Sequence, residues 1–212
     1  MIRRFPKCRR FIVTALLTLC AQLPGKPMAQ LPACTDFQKV LKLNPPGSAS
    51  THEKWPDGKT ITMGWEVAAP PPNSEFYFEL EAAKSLWDAE NTLYTFNDGG
   101  NVSYISDCPW PGESPTSGAE VKKIWDTNGY IEGYTMWVRG TLGRPPSCTD
   151  FPWTHSCELN KVDFKSVMLH ELGHVLGLDD TYTCSGTVMM GDYWWWLCRS
   201  LTQYDKDAID YL

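Results

Sequence analysis

The run Val167-Met168-Leu169-His170-Glu171-Leu172-Gly173-His174-Val175-Leu176-Gly177-Leu178-Asp179-Asp180 constrains this chain more than any other stretch of it. Asp163 stands where an N-cap belongs, apolar residues follow at helical spacing, and Gly177 interrupts them, so the sequence predicts a helix from about Phe164 to Leu176. On such a helix His170 and His174 lie one turn apart on one face. Both imidazoles can then reach a single cation, and Glu171 beside them can touch a water bound to it. Two ordinary surface histidines are the plain alternative, but they leave the break at Gly177 and the acids after it without a purpose.

A tetrahedral catalytic zinc takes three protein ligands and keeps one position open for water. Beyond His174 the sequence has no further His and no Glu. The third donor is therefore an aspartate, unless it is a tyrosine or a residue upstream. Counting from His170 as one, Gly177 is eighth and Asp180 eleventh, giving His-Glu-x-x-His-x-x-Gly-x-x-Asp. This pattern resembles the metzincin metallopeptidases, in which the glycine turns the chain off the helix so that the eleventh residue meets the metal. Aspartate in place of the usual eleventh histidine is similar to the snapalysin-like branch, and a carboxylate oxygen is a competent zinc ligand.

The likeness extends past the motif. Cys184-Ser185-Gly186-Thr187-Val188-Met189-Met190 is similar to the Met-turn, where a methionine, here Met189, lies beneath the metal without binding it. A gap-filling core methionine is the alternative. Leu201 to Ile209 looks like the closing helix of matrixin-type domains, and Lys54-Trp55-Pro56-Asp57-Gly58 with the strand after it looks like their opening. The resemblance is carried by roughly 160 to 212, is fainter over 53 to 93, and does not reach through 107 to 145. It implies an α+β, zincin-like (metzincin) catalytic domain, with a twisted mixed sheet, an active-site helix, a Met-turn and a C-terminal helix. It further implies a zinc held by His170, His174 and Asp180, with Glu171 as general base, in a monomeric endopeptidase acting on polypeptides. A Pro-Arg-Cys-Gly cysteine switch is missing.

Composition sets the surroundings. With 212 residues, 42% hydrophobic and 21% charged, the chain can bury one sizeable core. Residues 1–29 hold six of the 19 Lys+Arg and no acid, and a basic stretch precedes an apolar run from Phe11 to Leu23. That is the form of a signal peptide, and the run is too short to serve as a transmembrane anchor. The expected organisation is a leader over 1–29, a single domain over 30–212 and a secreted, extracellular product. The remainder carries 13 basic against 25 acidic side chains, a net of −12 that repels phosphate backbones and argues against a nucleic-acid partner.

Six cysteines lie beyond the leader, at 34, 108, 148, 157, 184 and 198, an even number that suggests three disulfides. Pairing by neighbourhood joins Cys148 to Cys157 and Cys184 to Cys198, leaving Cys34 with Cys108. The alternative is that Cys34 caps the zinc from a short pro-segment. Strand-like alternation falls at 59 to 66, around Val102 to Ile105 and over Tyr130 to Arg139, the last offered as the edge that aligns substrate. Phe76, Leu80, Ala83 and Trp87 mark an earlier helix, and a final one starts after Thr202 with Ala208, Ile209 and Leu212 inward.

Trp194, Trp195 and Trp196 either line a pocket wall or pack partly inward. His52 and His155 are expected on loops without metal. Asn97, Asp98 and Asp107 offer oxygens for calcium, though a solvated loop is the plainer reading. The competing functions are a secreted adhesion or polysaccharide-binding module on the same frame, or a zinc-dependent structural or inhibitory protein. Neither needs Glu171.

Overall fold

In the computed structural model, the residues described are 33–65, 72–90, 93–99, 103–106, 118–138, 153–156, 162–183, 185–191 and 200–212. The first element among the described residues is a 3-10 turn over Phe37–Val40, capped by the Asp36 carboxylate, which accepts from the Gln38 amide. Strand β1 (Thr60–Trp65) follows, with Ile61 and Met63 buried as the alternation requires. Of the four residues whose spacing predicts it, helix α1 (Glu75–Glu90) buries Leu80, Ala83 and Trp87 and packs Phe76 partly buried against the core. Strands β2 (Thr95–Asp98), β3 (Ser103–Ser106), β4 (Ala119–Trp125) and β5 (Ile131–Val138) complete a five-stranded sheet in the order β2-β1-β3-β5-β4.

The sheet is mixed. β1 runs parallel to β2 and β3, and β3 parallel to β5, while β4 is antiparallel to β5 with an irregularity at Ile124/Trp125. This corrects the expected edge. Residues Ile131–Val138 of that stretch lie inside the sheet between β3 and β4, and the terminal strands of the order are β2 and β4, which local alternation does not reveal. A two-residue pair, β6 (Trp153–Thr154) with β7 (Val162–Asp163), leads into helix α2 (Phe164–Leu176), and helix α3 (Gln203–Tyr211) closes the chain.

Helix α2 is buried almost all round, with 11 of its 13 residues inside. Asp163 caps its start by accepting from the Ser166 amide at 2.9 Å. At its end Gly177 takes φ +115°, a left-handed conformation that side chains disfavour, and Leu178 N donates back to Gly173 O at 3.0 Å. Two tryptophans lock the helix to its neighbours. Trp87 Nε1 donates to Leu169 O at 2.9 Å, and Trp55 Nε1 donates to Val175 O at 2.7 Å, satisfying a carbonyl that the last turn leaves open. Tyr94 and Tyr134 pack around Trp55, with the Tyr94 hydroxyl donating to Trp55 O at 3.1 Å.

Helix α3 starts at Thr202, as the sequence predicts, through a capping box with Asp205. Ala208, Ile209 and Leu212 are buried. All described residues belong to one compact unit, Leu31–Leu212. Among them no helix is long and apolar enough to cross a membrane. The expected leader, the tryptophan run 194–196, Asp107 and every cysteine except Cys34 lie outside the described residues.

Candidate metal centre

Helix α2 presents His170 and His174 on one face with ring centroids 4.6 Å apart. The turn at Gly177 then brings Asp180 back to them, and its Oδ1 lies 3.2 Å from His170 Nε2 and 3.5 Å from His174 Nε2. One donor atom from each residue falls within 4.8 Å of the others, and these three form the one such group among the described residues.

The tautomers follow from the outer nitrogens. His170 Nδ1 is 2.7 Å from Val188 O and His174 Nδ1 is 3.0 Å from Leu178 O. A carbonyl only accepts, so both Nδ1 atoms carry hydrogen and, in the neutral rings, both Nε2 lone pairs face the carboxylate. Asp180 Oδ1 is buried and makes no well-formed hydrogen bond. With both rings neutral, three lone-pair donors converge and repel one another, and a cation among them, whether a metal ion or a proton on a ring, converts that repulsion into attraction. The residues therefore fit a divalent ion with nitrogen and oxygen preference.

Burial opposes ionisation of Asp180, but His170 and His174 more than offset it and hold the carboxyl well below the usual carboxylate range. Glu171 behaves oppositely. Burial above all, with Asp180 and Glu120 adding to it and His170 opposing, pushes its pKa from 4.5 up to about 8. Its Oε2 is buried without a hydrogen-bond partner. A carboxyl raised in the folded state contributes stability that is fully present below about pH 4.5 and is lost as pH rises through about 8. In metal-stripped protein, Glu171→Gln should therefore leave the melting temperature near that of the parent at pH 4.5 and raise it at pH 8. Parallel melting-temperature profiles for the two proteins would contradict this.

The turn at 187–191 lies against the site. Met189 is fully buried, and a Cβ placed on Gly173 would come within 2.3 Å of its Sδ and 3.3 Å of Trp87 Cζ2. Gly173 is thus the contact point between helix α2 and Met189. Gly173→Ala should destabilise the fold, because overpacking a full core costs about 1–3 kcal/mol while the gain in helix propensity returns only about 1 kcal/mol. A rise in stability by chemical denaturation would show that Met189 does not press on the helix.

Two contributors escape the sequence reading. The Tyr182 hydroxyl donates to Asp180 Oδ2 at 3.1 Å, holding the carboxylate by its outer oxygen and leaving Oδ1 toward the histidines. Its only signal in the sequence is its place two residues past Asp180. Asp205 is fully buried in α3 and accepts from the Thr187 hydroxyl, from Val188 N at 3.1 Å and from Thr202 Oγ1 at 2.7 Å. Since Val188 O is the acceptor for His170, α3 anchors that histidine through one residue. A ladder, Thr181 N to Met189 O at 2.8 Å and Gly191 N to Thr181 O at 3.1 Å, binds the segment after Asp180 to the same turn.

The other candidates are placed elsewhere. His52 bridges Leu43 and sets its ring edge on Tyr211, and His155 pairs with Glu79 at 2.8 Å beside Phe76 and Phe164. Asn97 and Asp98 are in β2 rather than a loop, and Asp98 accepts from Lys84 at 2.7 Å. Cys34 is disulfide-bonded, so it is not a metal cap, and its amide donates to Ser185 O at 2.9 Å. The pairings expected for the other cysteines involve residues outside the described ones.

Fold and site together define a mixed α/β protein with a His–His–Asp group able to hold a metal ion. No protein-family model and no curated protein matches the chain. Among solved structures it is similar to high choriolytic enzyme 1, a hatching enzyme zinc-protease from Oryzias latipes (medaka fish), with 10% identity and a TM-score of 0.39, covering 85% of this chain and 97% of that one.

Proposed function

We propose that the protein is a secreted, monomeric, zinc-dependent endopeptidase of metzincin type. The observation that carries this reading is the convergence of His170 Nε2, His174 Nε2 and Asp180 Oδ1 within 4.8 Å, next to the buried carboxyl of Glu171. Zinc, when bound there, supplies Lewis acidity, which makes a water more acidic and draws charge from the carbonyl under attack. Glu171 takes the proton of the attacking water and passes it to the departing amine. A buried carboxyl with a raised proton affinity is suited to holding that proton between the two steps. A binding module has no use for such a group at this position.

The surroundings support the same reading. Met189 under Gly173 takes the part of the Met-turn methionine, and Tyr182 keeps Asp180 to one metal-facing oxygen. The leader over 1–29 and three disulfides complete the proposal for an extracellular product.

The test is hydrolysis of an unfolded polypeptide by the purified protein. Cleavage should stop with a zinc chelator and return with one equivalent of zinc. Folded, zinc-loaded protein that cleaves nothing would leave the adhesion or polysaccharide-binding module as the better reading.

A further inference from the structure

The site just described does not use the most deeply buried ion pair of the sheet. Lys123 points inward from β4, on the side shared with Ala119 and Val121, and its Nζ lies 2.7 Å from Glu53 Oε2 with side chains only 8% and 6% exposed. Lys42 meets the other oxygen of Glu53 at 3.4 Å from a half-exposed position. Apolar residues of similar volume would fill this space without desolvating two charges, so stability alone is a weak reason for the pair.

What the pair touches gives a better reason. Lys123 Nζ also lies 3.5 Å from Leu178 O, the oxygen that accepts from His174 Nδ1. A carbonyl has two lone-pair directions, and here one faces an imidazole and the other an ammonium. The other end of that peptide is held too, because Asp179 N donates to Val40 O at 2.7 Å. The Glu53 backbone oxygen meanwhile lies 2.4 Å from where a Cβ on Gly177 would stand, pressing on the turn that precedes the peptide. The Leu178–Asp179 peptide is thus fixed from three directions. It sits between His174, the less buried of the two histidines, and Asp180.

We infer that Glu53 and Lys123 are positioning residues of the metal centre: they hold the Leu178 carbonyl so that His174 and Asp180 meet one cation. Neither touches the metal or a substrate. The arrangement parallels the one at His170: its acceptor Val188 O lies in a peptide whose Met189 amide donates to the Thr187 hydroxyl, and that hydroxyl donates to the buried Asp205, which also accepts from Val188 N. In both cases a buried charge stiffens the carbonyl on which a ligand histidine leans, which is how outer partners set ligand orientation. The inference rests on reading His170, His174 and Asp180 as a metal site.

The test compares four full-length proteins: the parent, Lys42→Ala, Lys123→Met alone, and the double variant Glu53→Gln with Lys123→Met, which removes both charges at near-constant volume. Each is measured for zinc affinity by chelator competition, for the visible absorption of its cobalt(II) form, and for melting after metal removal. The double variant should melt close to the parent, bind zinc at least about tenfold more weakly, the scale of a lost outer partner, and show an altered cobalt spectrum. Lys42→Ala should match the parent throughout. A folded double variant with parental zinc affinity and cobalt spectrum overturns the inference. Failure of both the double variant and Lys123→Met alone to fold without metal also overturns it, since the pair then serves stability. A parent that binds no zinc instead overturns the reading of the site.

Discussion

Glu171→Gln should leave zinc content near that of the parent and lower peptide hydrolysis at least about a hundredfold, the usual scale for losing a general base. Glutamine has almost the same shape and no proton to exchange, so binding and fold are conserved while proton transfer is removed. The structure makes the separation clean. Glu171 is not among the three converging donor atoms, and its buried Oε2 makes no hydrogen bond whose loss would disturb the helix. Metal analysis and initial rates on one preparation decide the matter. Full chelator-sensitive activity in the variant would remove Glu171 from the mechanism.

Asp180→Ala should weaken zinc binding by more than the about tenfold to hundredfold that follows loss of an outer partner, because it takes away a ligand atom itself. Asp179→Ala should have little effect. The Asp179 backbone amide is used, donating to Val40 O at 2.7 Å, but an alanine keeps that amide, and the side chain is no part of the converging group. Titration of both variants against a competing chelator gives the order. A larger loss at Asp179 than at Asp180 would reject the assignment.

How much of this was legible in the chain depends on how local the cause is. Helix α2, its Asp163 cap and its end at Gly177 were readable because caps, periodicity and a left-handed glycine act within a few residues. The same holds for α1 and for α3 after Thr202. Asp180 is singled out by the resemblance to the metzincins, in which the residue three past the glycine meets the metal; the residues alone leave any aspartate after His174 open. Strand β4 was not readable, and Lys123 is the reason. An inward position held by a lysine breaks the apolar alternation, and its partner Glu53 is 70 residues away in sequence. Asn128-Gly129 between β4 and β5 is a hairpin signal that, given weight, points to the missing strand.

Long-range pairing hid the rest. The order β2-β1-β3-β5-β4 follows from crossovers that leave no local signature, so a central strand and an edge strand could not be told apart by alternation. Asp205 reads as an ordinary capping-box acid, and only the fold shows that its carboxylate also reaches Thr187 and Val188. The ladder between Thr181 and the 189–191 turn, which sets Met189 beside the segment after Asp180, is likewise visible only in the fold, although Met189 itself is singled out by the likeness to a Met-turn.

All of this depends on three side chains sharing one ion, and X-ray absorption at the zinc edge of the one-to-one complex tests that most directly. The account predicts a first shell of nitrogen and oxygen only, with two imidazoles and distances of about 2.0–2.2 Å. A sulfur neighbour at about 2.3 Å, a third imidazole, or a protein that takes up no zinc would contradict it.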